Sequence, residues 1–97
     1  FIRLLQSDFR TKHEVTYYAS TLCVSSVFLT RAMKKATKKT AGQWIDEMLV
    51  AESKILLRKS GCSIKEIAEK LHFSDQASFS KFFKKNVGMS PSKYKGR

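Results

Sequence analysis

The sequence predicts an all-α protein of about seven helices. Only 4 glycines and 1 proline occur among 97 residues, too few for the many turns of an all-β protein. Apolar residues recur at helical spacing, and residues that cap helices precede several of these stretches. Because 42% of the residues are apolar, the chain is expected to bury a core rather than to be disordered.

The first third of the sequence predicts three helices. Helical spacing predicts one helix over about 1–11 and a short second one near 15–22, with these inward residues: Phe1, Leu4, Leu5, Phe9, Val15, Tyr18, Ala19 and Leu22. Ser25 is suited to cap a third helix over about 26–35, because its hydroxyl can accept a hydrogen bond from a free helical N–H. The inward residues of that helix are Leu29, Ala32 and Met33.

A long central helix is predicted from Ala41 to about Ser60. Thr40 and Gln43 have the spacing of a capping box at its start. Gly61, just past its end, suits the left-handed conformation that stops a helix. Its apolar residues cover more than one stripe, as expected for a helix with neighbours on two sides: Trp44, Ile45, Met48, Leu49, Ile55, Leu56 and Leu57.

The last third predicts two further helices and a final turn. Ser63 and Glu66 form a second capping box, which precedes an apolar face made of Ile64, Ile67, Ala68 and Leu71. Ser74 is predicted to cap a helix over about 75–86, whose inward residues are Phe79, Phe82 and Phe83. Gly88 and Pro91 then mark a stop and a short last turn containing Tyr94.

The positive charge is concentrated in two segments. The formal net charge is +11, from 19 Lys and Arg against 8 Asp and Glu. Residues 29–41 contain five basic residues and no acid, and residues 76–97 contain six basic residues and no acid. The rest of the chain is balanced, so these two segments account for the whole excess. Such segments indicate a polyanionic partner, either nucleic acid or an anionic membrane.

The sequence also repeats itself. A shift of 49 places Ala19 on Ala68, Leu22 on Leu71 and Ser25 on Ser74. After one inserted residue the shift is 50, and the matching pairs are Leu29 and Phe79, Arg31 and Lys81, Met33 and Phe83, Lys34 and Lys84, Lys35 and Lys85, Thr40 and Ser90, and Trp44 and Tyr94. We expect Trp44 and Tyr94 to pack against the basic helix of their own copy. Each copy has a short helix, a tight turn and a basic helix, which is the helix-turn-helix arrangement.

The second helix of a helix-turn-helix enters the major groove of DNA. The predicted central helix would span roughly 30 Å, close to the ~34 Å of one DNA turn. The two basic helices of one chain are therefore expected to lie in successive major grooves.

The segment from Ser63 to Lys85, together with Gly88 to Tyr94, closely resembles the signature of AraC/XylS-type transcription regulators. With the Tyr18-Ala19 pair, Leu22 and Leu29, the resemblance extends over nearly the whole chain. It implies two helix-turn-helix subdomains, over 1–39 and 62–97, joined by a linker helix over 40–61. It also implies transcription regulation on double-stranded promoter DNA, with RNA polymerase as a candidate partner and a preceding sensor or dimerisation domain in the full-length protein.

The resemblance places the base-reading residues near the start and on the outer face of each recognition helix. The base-contacting positions are Ser26, Val27, Thr30, Arg31, Gln76, Ala77, Ser78 and Lys81. The phosphate-contacting positions are Ser25, Lys34, Lys35, Ser74, Ser80, Lys84 and Lys85. Their chemistry agrees, since arginine pairs with guanine, glutamine with adenine, and small apolar groups with the thymine methyl.

Three positions depart from the family pattern, which commonly has glycine there: Cys23, Lys38 and His72. A non-glycine residue in a left-handed conformation costs about 1 kcal/mol, which a folded domain can tolerate. Leu49 replaces an arginine that is frequent in the linker helix of the family, so the polar contact expected there is missing.

Other classes of function find little support in the sequence. Cys23 and Cys62 lie far apart without a disulfide framework, which favours reduced thiols in a cytoplasmic protein. His13 and His72 have no partner at metal-ligand spacing, and no nucleophile motif, carboxylate pair or phosphate loop occurs. We therefore expect no enzyme activity, no metal and no cofactor. Sequence-independent nucleic-acid binding remains the main alternative, and a basic module on a membrane surface is a weaker one, although no membrane partner is expected.

Overall fold

The computed structural model describes residues 1–59 and 61–96. These residues form seven helices and no strand, so the all-α prediction is confirmed. The helices are α1 (Ile2–Asp8), α2 (Val15–Thr21), α3 (Ser26–Thr37), α4 (Ala41–Arg58), α5 (Ile64–Lys70), α6 (Gln76–Val87) and α7 (Pro91–Lys95). Ser60, the predicted end of the central helix, lies outside the described residues.

The chain divides into two compact units, Phe1–Met48 and Leu49–Arg97. The division falls within α4, so each unit includes part of the helix that the sequence assigned to a separate linker. The subdomain boundaries inferred from the resemblance stay a prediction.

The first unit buries an apolar core beneath α2 and α3. Its buried apolar residues are Leu5, Phe9, Tyr18, Ala19, Leu29, Ala41 and Ile45. The Tyr18 hydroxyl donates a hydrogen bond to the carbonyl oxygen of Lys12 at 2.7 Å, and burial raises the pKa of Tyr18 to about 12. The neighbouring Tyr17 hydroxyl donates to the Asp8 carboxylate at 2.5 Å, which joins α2 to the end of α1.

The second unit is built around aromatic side chains. Phe79 and Phe83 are fully buried, and their ring centroids lie 6.0 Å apart. Phe73 packs on Phe79 and on the half-buried Phe82, with centroids 5.3 and 5.2 Å apart. Phe79 and Phe83 are therefore core residues, as their helical spacing predicted, whereas Phe82 lies at the edge of the core against Phe73.

The turn between the two helices of each helix-turn-helix begins in the same way in both units, although the second turn is one residue longer. Cys23 and His72 have left-handed backbones, with φ of 60° and 58°. The residue after each one donates a backbone hydrogen bond across the turn, from Val24 to Ala19 and from Phe73 to Ala68, both at 2.9 Å. The two positions where the family commonly has glycine thus hold the left-handed conformation without it.

The helix starts agree with the predictions in three of four cases. Ser25 accepts a hydrogen bond from the Phe28 amide, and reciprocal capping boxes join Thr40 to Gln43 and Ser63 to Glu66. The prediction that Ser74 caps α6 is wrong. The cap is Asp75, whose carboxylate accepts a 2.7 Å hydrogen bond from the Ser78 amide.

Apolar spacing overestimated burial at several positions. Ala32 and Ile55 are exposed, and Leu22 retains 38% of its surface, whereas the equivalent Leu71 is fully buried. The second unit has larger side chains than the first at three equivalent positions: Phe73 for Val24, Phe79 for Leu29 and Phe82 for Ala32. The first unit therefore has less apolar volume with which to cover its short helices.

Exchange of the residues that end α3 and α6 tests the backbone strain. Lys38 and Gly88 occupy equivalent positions, with φ of 67° and 92°. A Cβ added at Gly88 meets no atom within 4 Å, so Gly88→Lys should lower the free energy of unfolding by about 1 kcal/mol through backbone conformation alone. Lys38→Gly relieves the same strain but increases the conformational entropy of the unfolded chain, so the free energy of unfolding should rise by only about 0.5 kcal/mol. Urea unfolding followed by circular dichroism measures both changes, and a loss of stability in Lys38→Gly would contradict this account.

Candidate nucleic-acid interface

Helix α3 presents a polar and cationic outer face in the first unit. Leu29 is buried on its inner side. Among the predicted site residues, Ser25, Val27, Arg31, Lys34 and Lys35 are exposed, and Ser26 and Thr30 are half-buried. The four predicted base-contacting residues of this helix line one shallow depression together with the start of α2, at Glu14, Val15 and Thr16. The structure thus brings them to one continuous surface.

Helix α6 presents the corresponding face in the second unit. The exposed site residues are Ser74, Gln76, Ala77, Lys81, Lys84 and Lys85, and Ser78 and Ser80 are half-buried. Ser74 and Gln76 line a depression with Asp75 and part of α5. Ser78 is held near the cap, since its amide donates to Asp75 and its hydroxyl lies 3.1 Å from that of Ser74. Its hydroxyl is therefore less free to reach a ligand than the sequence suggested.

The cations on the two outer faces are not neutralised within the protein. No ion pair joins Arg31, Lys34 or Lys35 of α3 to any described residue, and the same is true of the α6 lysines Lys81, Lys84 and Lys85. Lys39 differs, because its ammonium group lies 2.8 Å from the Glu47 carboxylate and 5.0 Å from the centroid of the Trp44 ring. The cations on the outer faces of α3 and α6 are therefore available to a polyanion.

The far end of each recognition helix is held by the aromatic residue predicted for it. The Trp44 indole N–H donates to the hydroxyl of Thr37, the last residue of α3, at 2.9 Å. The Tyr94 ring packs edge-on against Phe83 of α6, with centroids 5.5 Å apart. These contacts confirm that both aromatic residues pack against the basic helix of their own unit.

Sequence reasoning missed the carboxylate at the start of α6. Asp75 is exposed, and its pKa is lowered because the carboxylate accepts a hydrogen bond from the Ser78 amide. A phosphate approaching the first turn of α6 therefore meets a negative charge, whereas the neutral Ser25 stands at the start of α3. The predicted equivalence of Ser25 with Ser74 is wrong, because the helix caps are Ser25 and Asp75 and the inserted residue therefore lies before the second cap.

Sequence reasoning also missed Phe28. This residue follows Val27 in the first turn of α3, and 59% of its side chain is exposed. The helical pattern of α3 places it outside the buried stripe, but an exposed aromatic residue was not considered at that position.

Neither a metal centre nor a membrane span is found in the described part of the chain. Within 1–59 and 61–96, no three His, Cys, Asp or Glu side chains are grouped so that they could hold a metal ion. No helix in the same ranges has the length and apolar character that crossing a bilayer requires.

A protein-family model described as a helix-turn-helix domain matches residues 18–97. The chain is 31% identical over 93 residues to the Msm operon regulatory protein of Streptococcus mutans. The alignment covers 96% of this chain and 34% of that protein. The chain belongs to the AraC-type helix-turn-helix family. It spans about a third of the length of this relative.

Solved structures show the same AraC-type fold. The C-terminal domain of AraT, a response regulator from Geobacillus stearothermophilus, aligns with a TM-score of 0.82 at 26% identity, covering 98% of this chain and 83% of that one. The DNA-binding domain of AdpA, a global transcriptional factor solved in complex with a target DNA, aligns with a TM-score of 0.83 at 21% identity, covering 98% and 86%. AraC-type domains are DNA-binding domains of transcription regulators, a class without enzymatic activity.

The Asp75 cap predicts an acid-dependent loss of stability. Its lowered pKa means that the contribution of the carboxylate is present above the ordinary value of 3.8 and is lost as the pH falls through the lowered pKa. Asp75→Asn keeps a capping side chain without the charge. The difference in urea midpoint between the wild type and this variant should therefore shrink below a pH of about 4.

The matched control is Glu14→Gln, at the start of α2. The Glu14 side chain makes no capping hydrogen bond, so this variant separates the loss of a carboxylate at a helix start from the loss of a capping carboxylate. A difference between the wild type and Asp75→Asn that stayed constant down to a pH of about 2 would show that the charge on Asp75 does not stabilise α6.

Proposed function

We propose that this chain binds double-stranded promoter DNA in a sequence-specific way, with α3 and α6 in two successive major grooves, and thereby regulates transcription. The observation that carries the proposal is the repeated outer face, where two helices present cations without an acidic partner beside small polar side chains. A helix with its side chains is about 10–12 Å wide, which matches the ~12 Å width of the major groove.

The proposed base contacts follow from the donors and acceptors on the outer faces. Arg31 can form two hydrogen bonds to guanine O6 and N7, and Gln76 can pair with adenine N6 and N7. Lys81 is the equivalent of Arg31 on α6, and Val27 and Ala77 suit the thymine methyl. The proposed base contacts also include three half-buried residues with short polar side chains: Ser26, Thr30 and Ser78.

The proposed phosphate contacts lie beside and one turn beyond the base contacts. Lys34, Lys35, Lys84 and Lys85 are long enough to reach the DNA backbone, and the first turn of α3 at Ser25 adds free N–H groups. At α6 the carboxylate of the Asp75 cap repels a phosphate. We therefore assign Ser74 a phosphate contact through its hydroxyl and not through the backbone N–H groups of the first turn. Ser80 is the last proposed contact of this kind.

The remaining parts of the proposal concern the full-length protein. Because the relative from S. mutans is about three times as long as the matched segment, we propose that a sensing or dimerisation domain belongs to the same polypeptide. We further propose RNA polymerase as a partner at the promoter and the cytoplasm as the site of action. The binding of target DNA by the AdpA domain supports DNA as the ligand of this chain.

Selection of duplexes from a random pool tests the main proposal. Two short conserved boxes about one helical turn apart are expected, together with a preference of roughly 10³ or more over scrambled DNA. The logarithm of the binding constant should fall with the logarithm of salt concentration with a slope of about −5 to −7, since roughly 6 to 8 phosphates would be neutralised. The same slope without any base preference would establish the alternative, sequence-independent binding.

Two lysines of α6 separate base reading from phosphate binding. Lys81→Ala should weaken binding to the selected duplex by about 1–3 kcal/mol and relax the preference in one box. Lys85→Ala should weaken binding to selected and scrambled duplexes by the same factor. Fluorescence anisotropy on both duplexes at one salt concentration measures these effects, and equal losses from Lys81→Ala on the two duplexes would refute its assignment.

A further inference from the structure

The first turn of α3 exposes a pair of large apolar side chains. Val27 and Phe28 are 60% and 59% exposed, the highest values among the large apolar side chains of the described residues. Single exposed apolar residues are common on protein surfaces, but adjacent ones that form a patch indicate contact with a ligand.

The surroundings of this pair point to DNA as the ligand. Arg31 lies four residues after Val27 and three after Phe28, so it follows both about one helical turn later. Lys34 and Lys35 follow on the next turn, and α3 contains no acidic residue. Val27 also lines the depression formed with the other predicted base-contacting residues. Exposed apolar side chains beside cations suit the major groove of DNA, where anionic phosphates border the groove and thymine methyl groups lie on its floor.

The second unit has different chemistry at the same positions. With the caps Ser25 and Asp75 as the common origin, Val27 corresponds to Ala77 and Phe28 to Ser78. The amides of Phe28 and Ser78 both donate to their caps, but the Phe28 side chain is exposed whereas Ser78 is half-buried. The start of α6 is thus small and polar where the start of α3 is large and apolar.

In the major groove, thymine differs from the other bases by its C5 methyl group, and valine or phenylalanine can bury it. We propose that Val27 and Phe28 read thymine methyl groups, so that the first unit recognises its box largely by apolar contact and the second unit by hydrogen bonds. This inference rests on the proposed function and extends it, by naming Phe28 as a specificity-determining residue and by assigning a different kind of reading to each unit.

Replacement of thymine by deoxyuridine tests the proposal, because it removes only the methyl group. The full chain and the selected duplex are used, with uracil placed in one box or in the other, and affinity is measured by fluorescence anisotropy. Loss of one buried methyl group should weaken binding about fourfold. We expect several multiples of this loss in one box, because α3 has two large apolar side chains there. In the other box we expect a loss of no more than one methyl group, because Ala77 is the one residue of α6 assigned to a thymine methyl.

Variants of the pair connect the effect to these residues. In Phe28→Ser, which carries the α6 residue at the same position, and in Val27→Ala, the uracil duplex and the thymine duplex should bind more nearly alike. Both side chains are exposed, so the variants should fold, and circular dichroism checks this. The matched control is Ile55→Ser, which removes another exposed apolar side chain, 52% exposed, on α4. It should keep the full discrimination of the wild type.

Each outcome decides the proposal. Equal affinity of the wild type for thymine and uracil duplexes overturns it, as does discrimination that persists when both residues are replaced. Normal DNA binding by both variants also overturns it and assigns the patch to a protein partner. If the wild type does not prefer the selected duplex to scrambled DNA, the proposed function itself fails. If that preference exists but is insensitive to uracil, only this inference fails.

Discussion

The left-handed turn within each helix-turn-helix is the constraint on which the candidate interface depends. One residue at positive φ, Cys23 or His72, lets the next amide close a hydrogen bond back to the short helix. This bond fixes the direction in which the recognition helix leaves the turn. Once the direction is set, the buried stripe of that helix must face the core of its own unit, and its cations are left on the opposite side. The cost of a non-glycine residue there is about 1 kcal/mol, which is small beside the burial of a phenylalanine.

The same local design supports two different surfaces. Both units use a capped start, a buried stripe and an aromatic residue near the helix end, yet the side chains that reach outward differ in kind. At the first unit a neutral serine cap precedes Val27 and Phe28, and at the second an aspartate cap precedes Gln76 and Ala77. Because core and cap residues hold the backbone, the outer residues can vary without changing the fold. The two units can therefore carry different outer surfaces on the same backbone.

The fold could be predicted almost completely from the sequence, and the site only in part. Capping boxes such as Ser63 with Glu66 and the phenylalanine stripe of α6 are local patterns whose physics depends on few residues, and both appear in the structure. Burial at Leu22 and Ala32 depends on the volume of neighbours in three dimensions, which helical spacing does not contain. The cap of α6 was misassigned because Ser74 and Asp75 can both cap a helix. The second turn is one residue longer than the first, and the sequence does not show whether that residue lies before or after the cap.

Net charge and sequence recognition make separate demands on this small surface. A charge of +11 attracts any duplex, so the cations alone favour all sequences equally. Discrimination requires groups whose contacts depend on the base, and the residues that we propose for this role lie on the first two turns of α3 and α6, ahead of Lys34 and Lys84. The exposed carboxylate of Asp75 reduces attraction to phosphate at one of these places while it stabilises the helix that carries Gln76 and Lys81. A domain that gives up some general affinity at its reading surface gains in the ratio of specific to non-specific binding, which is the quantity that decides occupancy of a promoter among many competing sites.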